Sequence, residues 1–173
     1  MPFTPYHFGP SGFLGLVFGK WIDLPVFVLA NVIVDIEVLM VGFLGLGWPA
    51  HRYCHTLLIG AVVGALWGIA AYPLRHFFKR IMGVFYIPYR TSLRKMIVSG
   101  ILGVWLHVLI DGIYHFDVKI FWPGKKMWLW KMIQGNITKQ QIETVCMLFF
   151  IAAFVVYILA VTVFRRNWVK DNE

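Results

Sequence analysis

The chain alternates between long apolar runs and short segments where prolines, glycines and basic residues gather. Residues 24–47 (LPVFVLANVIVDIEVLMVGFLGLG) form the first long run. At ~1.5 Å per helical residue it reaches ~36 Å, against a bilayer core of ~30 Å. Residues 57–74, 97–116 and 143–164 give further spans of ~27, ~30 and ~33 Å. Residues 8–20 are apolar but too short to cross, and predict a short N-terminal half-helix. Pro10 and Pro25 fall where the first turns of the two N-terminal helices are expected, a place proline tolerates. Gly60, Gly64 and Gly68 make a small-residue stripe, and Gly15 and Gly19 a second pair, both spaced for close helix packing. The pattern predicts an all-α integral membrane protein. Four transmembrane helices and the half-helix form one bundle, a single membrane-embedded domain over residues 1–173.

Composition removes the main alternatives. Of 173 residues, 60% are hydrophobic and 14% charged. One soluble core of this size cannot enclose so much apolar surface, and the composition fits neither disorder, coiled coil, collagen nor a disulfide scaffold. The net charge of +8 would point a soluble protein toward nucleic acid. Here the lysines and arginines flank apolar runs, so the bilayer is the expected partner and nucleic acid is not. The first positive charge is Lys20, so no signal peptide is expected and the hydrophobic segments must drive insertion. Cys54 and Cys146 have no metal-motif spacing and are expected to be unpaired.

Charge also sets an expected orientation. With four spans, Lys20, the segment 75–96 and the C-terminal tail share one side and carry ten of the 16 lysines and arginines. The remaining six lie opposite, which puts 75–96 and the C-terminus in the cytoplasm of the cell membrane. Residues 48–56 and 117–142 then face away. The second of these segments interleaves Phe121, Trp122, Trp128 and Trp130 with lysines, a pattern that suits interfacial anchoring or a platform for a lipid substrate.

Candidate chemistry lies inside the apolar runs. A charge at mid-membrane costs ~2.5–3.5 kcal/mol on insertion scales, so intramembrane acids and histidines usually serve a function. Asp35 and Glu37 interrupt residues 24–47, and His107 and Asp111 interrupt 97–116, with His115 at its end. Steps of four turn a helix by only ~40°, so His107, Asp111 and His115 share one stripe. His51 and His55 are again four apart, and an early start to the next helix would align them. His7 belongs to a segment expected to fold back to the same end. His76, in the basic segment, reads as solvated. Imidazoles and carboxylates together suit Zn²⁺ or Mn²⁺, and also Fe²⁺.

Asp35 and Glu37 lie ~200° apart on a regular helix, so either one ligates and the other supports, or the helix is distorted. Asp35 is the expected ligand, and Glu37 is a candidate general base or second-sphere residue. Asn31, one turn before Asp35, could orient a carboxylate or a substrate. Arg52 could hold a phosphate bidentately or contact a headgroup. Thr56 could hydrogen-bond substrate or cap the helix that follows. The candidate metal ligands are His7, Asp35, His51, His55, His107 and Asp111, and the candidate catalytic residues are Glu37 and Arg52.

Four blocks carry a resemblance: T-x-x-H (Thr4, His7), D-I-E (Asp35 to Glu37), H-R-Y-C-H-T (His51 to Thr56), and H-V-L-I-D (His107 to Asp111) followed by F-W-P (Phe121 to Pro123). In order and spacing they resemble the YdjM-like family of membrane-bound metal-dependent hydrolases. The family's second block is close to D-x-D-H and its third to H-R-G-x-T-H-S. Here Glu37 keeps a carboxylate, Val38 replaces a histidine, Cys54 replaces a threonine and Thr56 a serine. The resemblance implies a metal-dependent hydrolase in the membrane. A lipid or another phosphoester is the expected substrate class, because the site is reached from the bilayer. Two rivals remain: a metal-ion or proton transporter, which would need polar groups through to the cytoplasmic end, and a non-enzymatic membrane protein whose polar cluster fixes packing.

Overall fold

A computed structural model describes residues 5–45, 47, 51, 53–124, 128–133 and 135–170. Those residues form seven α-helices and no strand: α1 (Pro5–Val17), α2 (Leu24–Phe43), α3 (Leu57–Ala71), α4 (Arg75–Val84), α5 (Leu93–Tyr114), α6 (Trp128–Ile133) and α7 (Lys139–Lys170). Four stretches are long and apolar enough to cross a membrane: Leu24–Phe43, Leu57–Val84, Leu93–Tyr114 and Lys139–Thr162. α1 covers only ~20 Å. The architecture is the expected all-α bundle of four long helices with a short N-terminal one.

Boundaries follow local chemistry, and several differ from the hydropathy reading. α1 begins at Pro5 rather than residue 8, so Pro10 lies inside the helix and not in its first turn. α2 starts as expected, with Pro25 in its first turn and Asp23 accepting from the Val26 N–H. It stops at Phe43, short of 47, because Gly45 and Gly47 adopt positive φ. Thr56 caps α3 through the Ile59 N–H. α3 gives way to a single 3-10 turn at Tyr72–Leu74, where Pro73 cannot continue the α-helical bonding. The basic segment after it is not a loop: α4 buries Phe78 and Met82, one turn apart, and leaves Lys79 and Arg80 outside. Ser92 caps α5 through the Lys95 N–H, which moves its start from 97 to 93. Thr138 and Gln141 bond reciprocally and open α7 at Lys139.

α5 is the central post. α3 runs along one side of it and α2 along another, while α1 lies against α2 and α7 rests on α1. The glycine stripe on α3 meets α5 at backbone distance. A Cβ on Gly64 would collide with the Gly100 carbonyl, and one on Gly68 would sit 2.6 Å from Ile97 Cα. Gly103, on another face of α5, admits the Phe27 carbonyl of α2 in the same way. The expected Gly15–Gly19 pair does not act as a packing stripe. Gly15 meets Leu24, but Gly19 lies beyond the end of α1, where an added Cβ would meet only its own turn. Gly9 instead brings α1 against the Cys146 carbonyl of α7.

Large apolar side chains such as Leu39, Leu58, Leu66 and Phe154 point outward, as a lipid-facing surface requires. The end where α2, α3 and α5 meet the basic segment is tied by one buried acid. Asp23 accepts from Tyr89 at 2.8 Å and from Thr91, while its own N–H donates to Ser99 Oγ. Between this latch and the opposite end lie Val26, Ala30, Val34 and Val104, all fully buried. Cys54 and Cys146 are free thiols.

Candidate metal centre

The opposite end collects the histidines. α1 begins there with His7, and α2 brings Asp35 to it about five residues before its last turn. α3 starts there behind His51 and His55, and α5 ends there with His107 and Asp111. His7, His55 and His107 are fully buried, and Asp35, His51 and Asp111 nearly so. His107 and Asp111, one turn apart, point the same way, as their spacing predicts. His51 and His55 converge by a different route. His51 and residues 53–56 form bends and a turn rather than an early start to α3, and the two rings meet edge to face at 4.7 Å.

Four side chains form the tightest group: Asp35, His55, His107 and Asp111 each offer a ligand atom, all within 4.8 Å of one another. His107 Nε2 lies 3.2 Å from Asp35 Oδ1 and 3.0 Å from Asp111 Oδ2. His55 Nε2 lies 3.6 Å from each of the same two oxygens. These separations match what one ion bonded at ~2.0–2.2 Å imposes on its ligands, roughly 3–4 Å. Proximity is not hydrogen bonding here. Neither His55 Nε2 nor His107 Nε2 is aligned with a partner, although both atoms are buried. A buried polar nitrogen without a partner costs ~1–3 kcal/mol, and such exceptions call for a specific cause. The residues present therefore fit a divalent cation: two imidazole lone pairs, no sulfur, and two carboxylates whose charge a dication balances.

Glu37 stands behind the group. Its carboxylate accepts the N–H groups of Tyr53 and Cys54 at 2.8 and 3.0 Å and contacts His55 Nδ1 at 3.0 Å. A carboxylate only accepts, so Nδ1 carries the hydrogen in this contact, which leaves Nε2 as the atom that faces the group. The ~200° offset from Asp35 is met by giving the two acids different tasks, and Glu37 takes the supporting one. Burial pulls the His55 imidazole down, but Asp35 and Glu37 beside it outweigh that and leave it above its ordinary value, so the pocket favours positive charge. Burial, with Glu37 adding to it, pushes the Cys54 thiol up to about 11, which keeps a thiolate out of the chemistry at neutral pH.

His7 approaches from α1 and donates from Nε2 to Asp111 Oδ1 at 3.1 Å, its ring stacked on His107 at 4.2 Å. Asn31 does not act on a carboxylate as expected. Its amide donates to Ser11 Oγ and the Val28 carbonyl, and so pins α2 to α1. Thr56 is a helix cap and donates to the Tyr53 carbonyl. His76 is exposed on α4, far along the chain from the group. Arg52 and Thr4 lie outside the described residues.

Two more residues join the site: His115, which the spacing placed on the α5 stripe, and Asp117, which periodicity did not single out. α5 ends at Tyr114, so His115 leaves the helical stripe and its ring stacks on His51 at 4.2 Å. Asp117 accepts from the His51 backbone at 3.3 Å and contacts His51 Nδ1 at 3.1 Å. Burial raises the Asp117 carboxyl, but the His51 ring and N–H outweigh it and hold it below its ordinary range. Burial pushes the His115 imidazole down to about 4. Asp117 stands in a loop after a helix end, where no repeat marks it, and only its closeness to H-x3-D-x3-H could have drawn notice. Comparison of the chain with protein-family models, curated proteins and solved structures returned no match.

Proposed function

We propose that the protein is a membrane-embedded metal-dependent hydrolase of the YdjM-like kind, acting on a lipid phosphoester. The observation that carries the reading is the buried convergence of Asp35, His55, His107 and Asp111, with two imidazole nitrogens aimed at the group and bonded to nothing there. Zn²⁺ or Mn²⁺ suits these donors. A divalent ion held in such a site supplies a bound water acidic enough to ionise near neutral pH and polarises a phosphoryl oxygen. Asp35 and Asp111 provide the charge that retains it, and His55 and His107 the neutral ligands. Glu37 fixes the His55 ring and its tautomer. Arg52, next in the chain to His51, is assigned to the anionic group of the substrate, which a guanidinium grips bidentately.

The surroundings favour hydrolysis at the bilayer over conduction through it. Beyond the buried Asn31–Ser11 pair, fully buried Val26, Ala30, Val34 and Val104 lie between the site and the polar latch around Asp23, so among the described residues apolar side chains interrupt a path to the other end. A groove of about 630 Å³ runs between α1, α5 and the start of α7, lined by Leu14, Leu106, Ile110, Ile113 and Phe149. Its size suits an acyl chain.

The test is turnover of a phosphatidic acid or phosphatidylglycerophosphate substrate by detergent-purified protein, with metal content measured alongside. The expected result is phosphate release that chelator abolishes and Zn²⁺ or Mn²⁺ restores, and that the His107→Ala, Asp111→Asn double variant lacks. Turnover indifferent to chelator, or a wild-type protein that takes up no metal, overturns the reading.

A further inference from the structure

We propose that the mouth of the bundle holds a second divalent-cation position, formed by His51, His115 and Asp117, with Asp111 shared between it and the first. The inference rests on reading the buried group as a metal centre and adds a second ion to it. His51, His115 and Asp117 each offer a ligand atom within 4.8 Å of the others. They reach this place from two loops: His51 precedes α3, while His115 and Asp117 follow α5.

Asp111 is the hinge between the two groups. Five imidazoles approach its carboxylate through the same atom, Nε2. His55 and His107 lie 3.6 and 3.0 Å from Oδ2. His51 lies 3.7 Å from Oδ2, while His7 and His115 lie 3.1 and 4.0 Å from Oδ1. Of these five, His7 alone makes an aligned hydrogen bond. A carboxylate has no use for five nitrogens as hydrogen-bond donors, since its two oxygens present about four lone-pair sites. Oδ2 faces the inner pair and His51, and Oδ1 faces His115, so Asp111 lies against both groups. Among the described residues, the side-chain partners of Asp111 and Asp117 are all imidazoles.

The two positions differ in depth. The first group is buried throughout, whereas His115 and Asp117 are half-buried. The outer ion therefore stands where a substrate headgroup arrives. Paired ions of this kind stabilise the attacking and leaving oxygens of a displacement together, and the outer group supplies the second of them.

The measurement is metal stoichiometry on protein loaded with Mn²⁺ alone, read by elemental analysis and by Mn²⁺ electron paramagnetic resonance. Wild type is expected to hold two ions per chain with an exchange-coupled spectrum. His115→Ala combined with Asp117→Asn is expected to hold one, with the spectrum of an isolated ion and unchanged helical content. The resonance readout on wild type needs no variant to fold. One uncoupled ion in wild type, lost in His107→Ala but kept in the His115/Asp117 variant, overturns the second position and leaves the first standing. No bound Mn²⁺ in wild type overturns both.

Discussion

His55 illustrates how one residue's role is decided by what stands behind it. Its Nε2 faces two carboxylates, but its Nδ1 and the two N–H groups that precede it are held by Glu37. Partners of this sort fix ring orientation and are worth 10–100-fold in metal affinity. Glu37→Gln keeps the shape but replaces half of the acceptor with a donor, so the His55 contact and the paired backbone bonds cannot all be kept. The expected outcome is metal affinity weaker by roughly tenfold or more, with unfolding in detergent changed little. Competition against a metallochromic chelator measures it, and an unchanged affinity would return Glu37 to the general-base role. At this scale the sequence was informative where chemistry and spacing coincide. His107 and Asp111 share a stripe because a helix puts them there, and the offset of Glu37 from Asp35 already called for either two tasks or a distorted helix. It was silent on Asp117 and on the Asp23 latch. Both are acids at helix boundaries, where a carboxylate reads as an ordinary cap or loop residue, and only tertiary partners (His51 for one, Tyr89 and Thr91 for the other) distinguish them.

Between elements, the decisive contact is backbone against backbone. α3 and α5 come together because Gly64 and Gly100 leave nothing between them. This pairing sets how near His55, just before α3, stands to His107 on α5. A methyl group on Gly64 has no room unless the helices part, and overpacking of this kind costs ~1–3 kcal/mol. Gly42, near the end of α2, has nothing within 4 Å of an added Cβ. Gly64→Ala is therefore expected to destabilise the fold and lower metal occupancy, whereas Gly42→Ala is neutral or gains up to ~1 kcal/mol from the better helix former. Unfolding by sodium dodecyl sulfate titration distinguishes them, and equal midpoints would remove the close approach as the determinant. The α3 stripe was legible as a face for packing, but its partner was not, because glycines at 100 and 103 do not repeat at four. Helix existence followed from apolar length, whereas boundaries were shifted by caps and by glycine and proline, which a hydropathy window averages away. The helix α4 was missed altogether, since its amphipathic pattern sits inside a basic stretch.

For the whole molecule, the two ends are chemically distinct. One carries five of the six histidines, and the other carries the Asp23 latch beside Lys95 and the basic α4. The excess of lysine and arginine at the latch end predicts that it faces the cytoplasm. In a background lacking Cys54 and Cys146, Asn136→Cys is expected to react with an impermeant maleimide on intact cells. Pro88→Cys is expected to react only after permeabilisation, and the opposite result would invert the orientation. The bundle as a class was readable from the lengths of the apolar runs, with composition excluding the alternatives. The contact of α7 with α1 was not, because it depends on the Gly9 notch rather than on any polar signal. That contact also gives the molecule a chronology. His7 is synthesised first, yet the acid it bonds, Asp111, follows 104 residues later, and the outermost candidate ligand, Asp117, comes later still. An ion cannot be enclosed while the nascent chain is shorter than that. α7 brings none of the candidate ligands and is made after all of them, so its arrival on α1 is the closing step of assembly, a bolt drawn across the helix that carries the earliest-made part of the site.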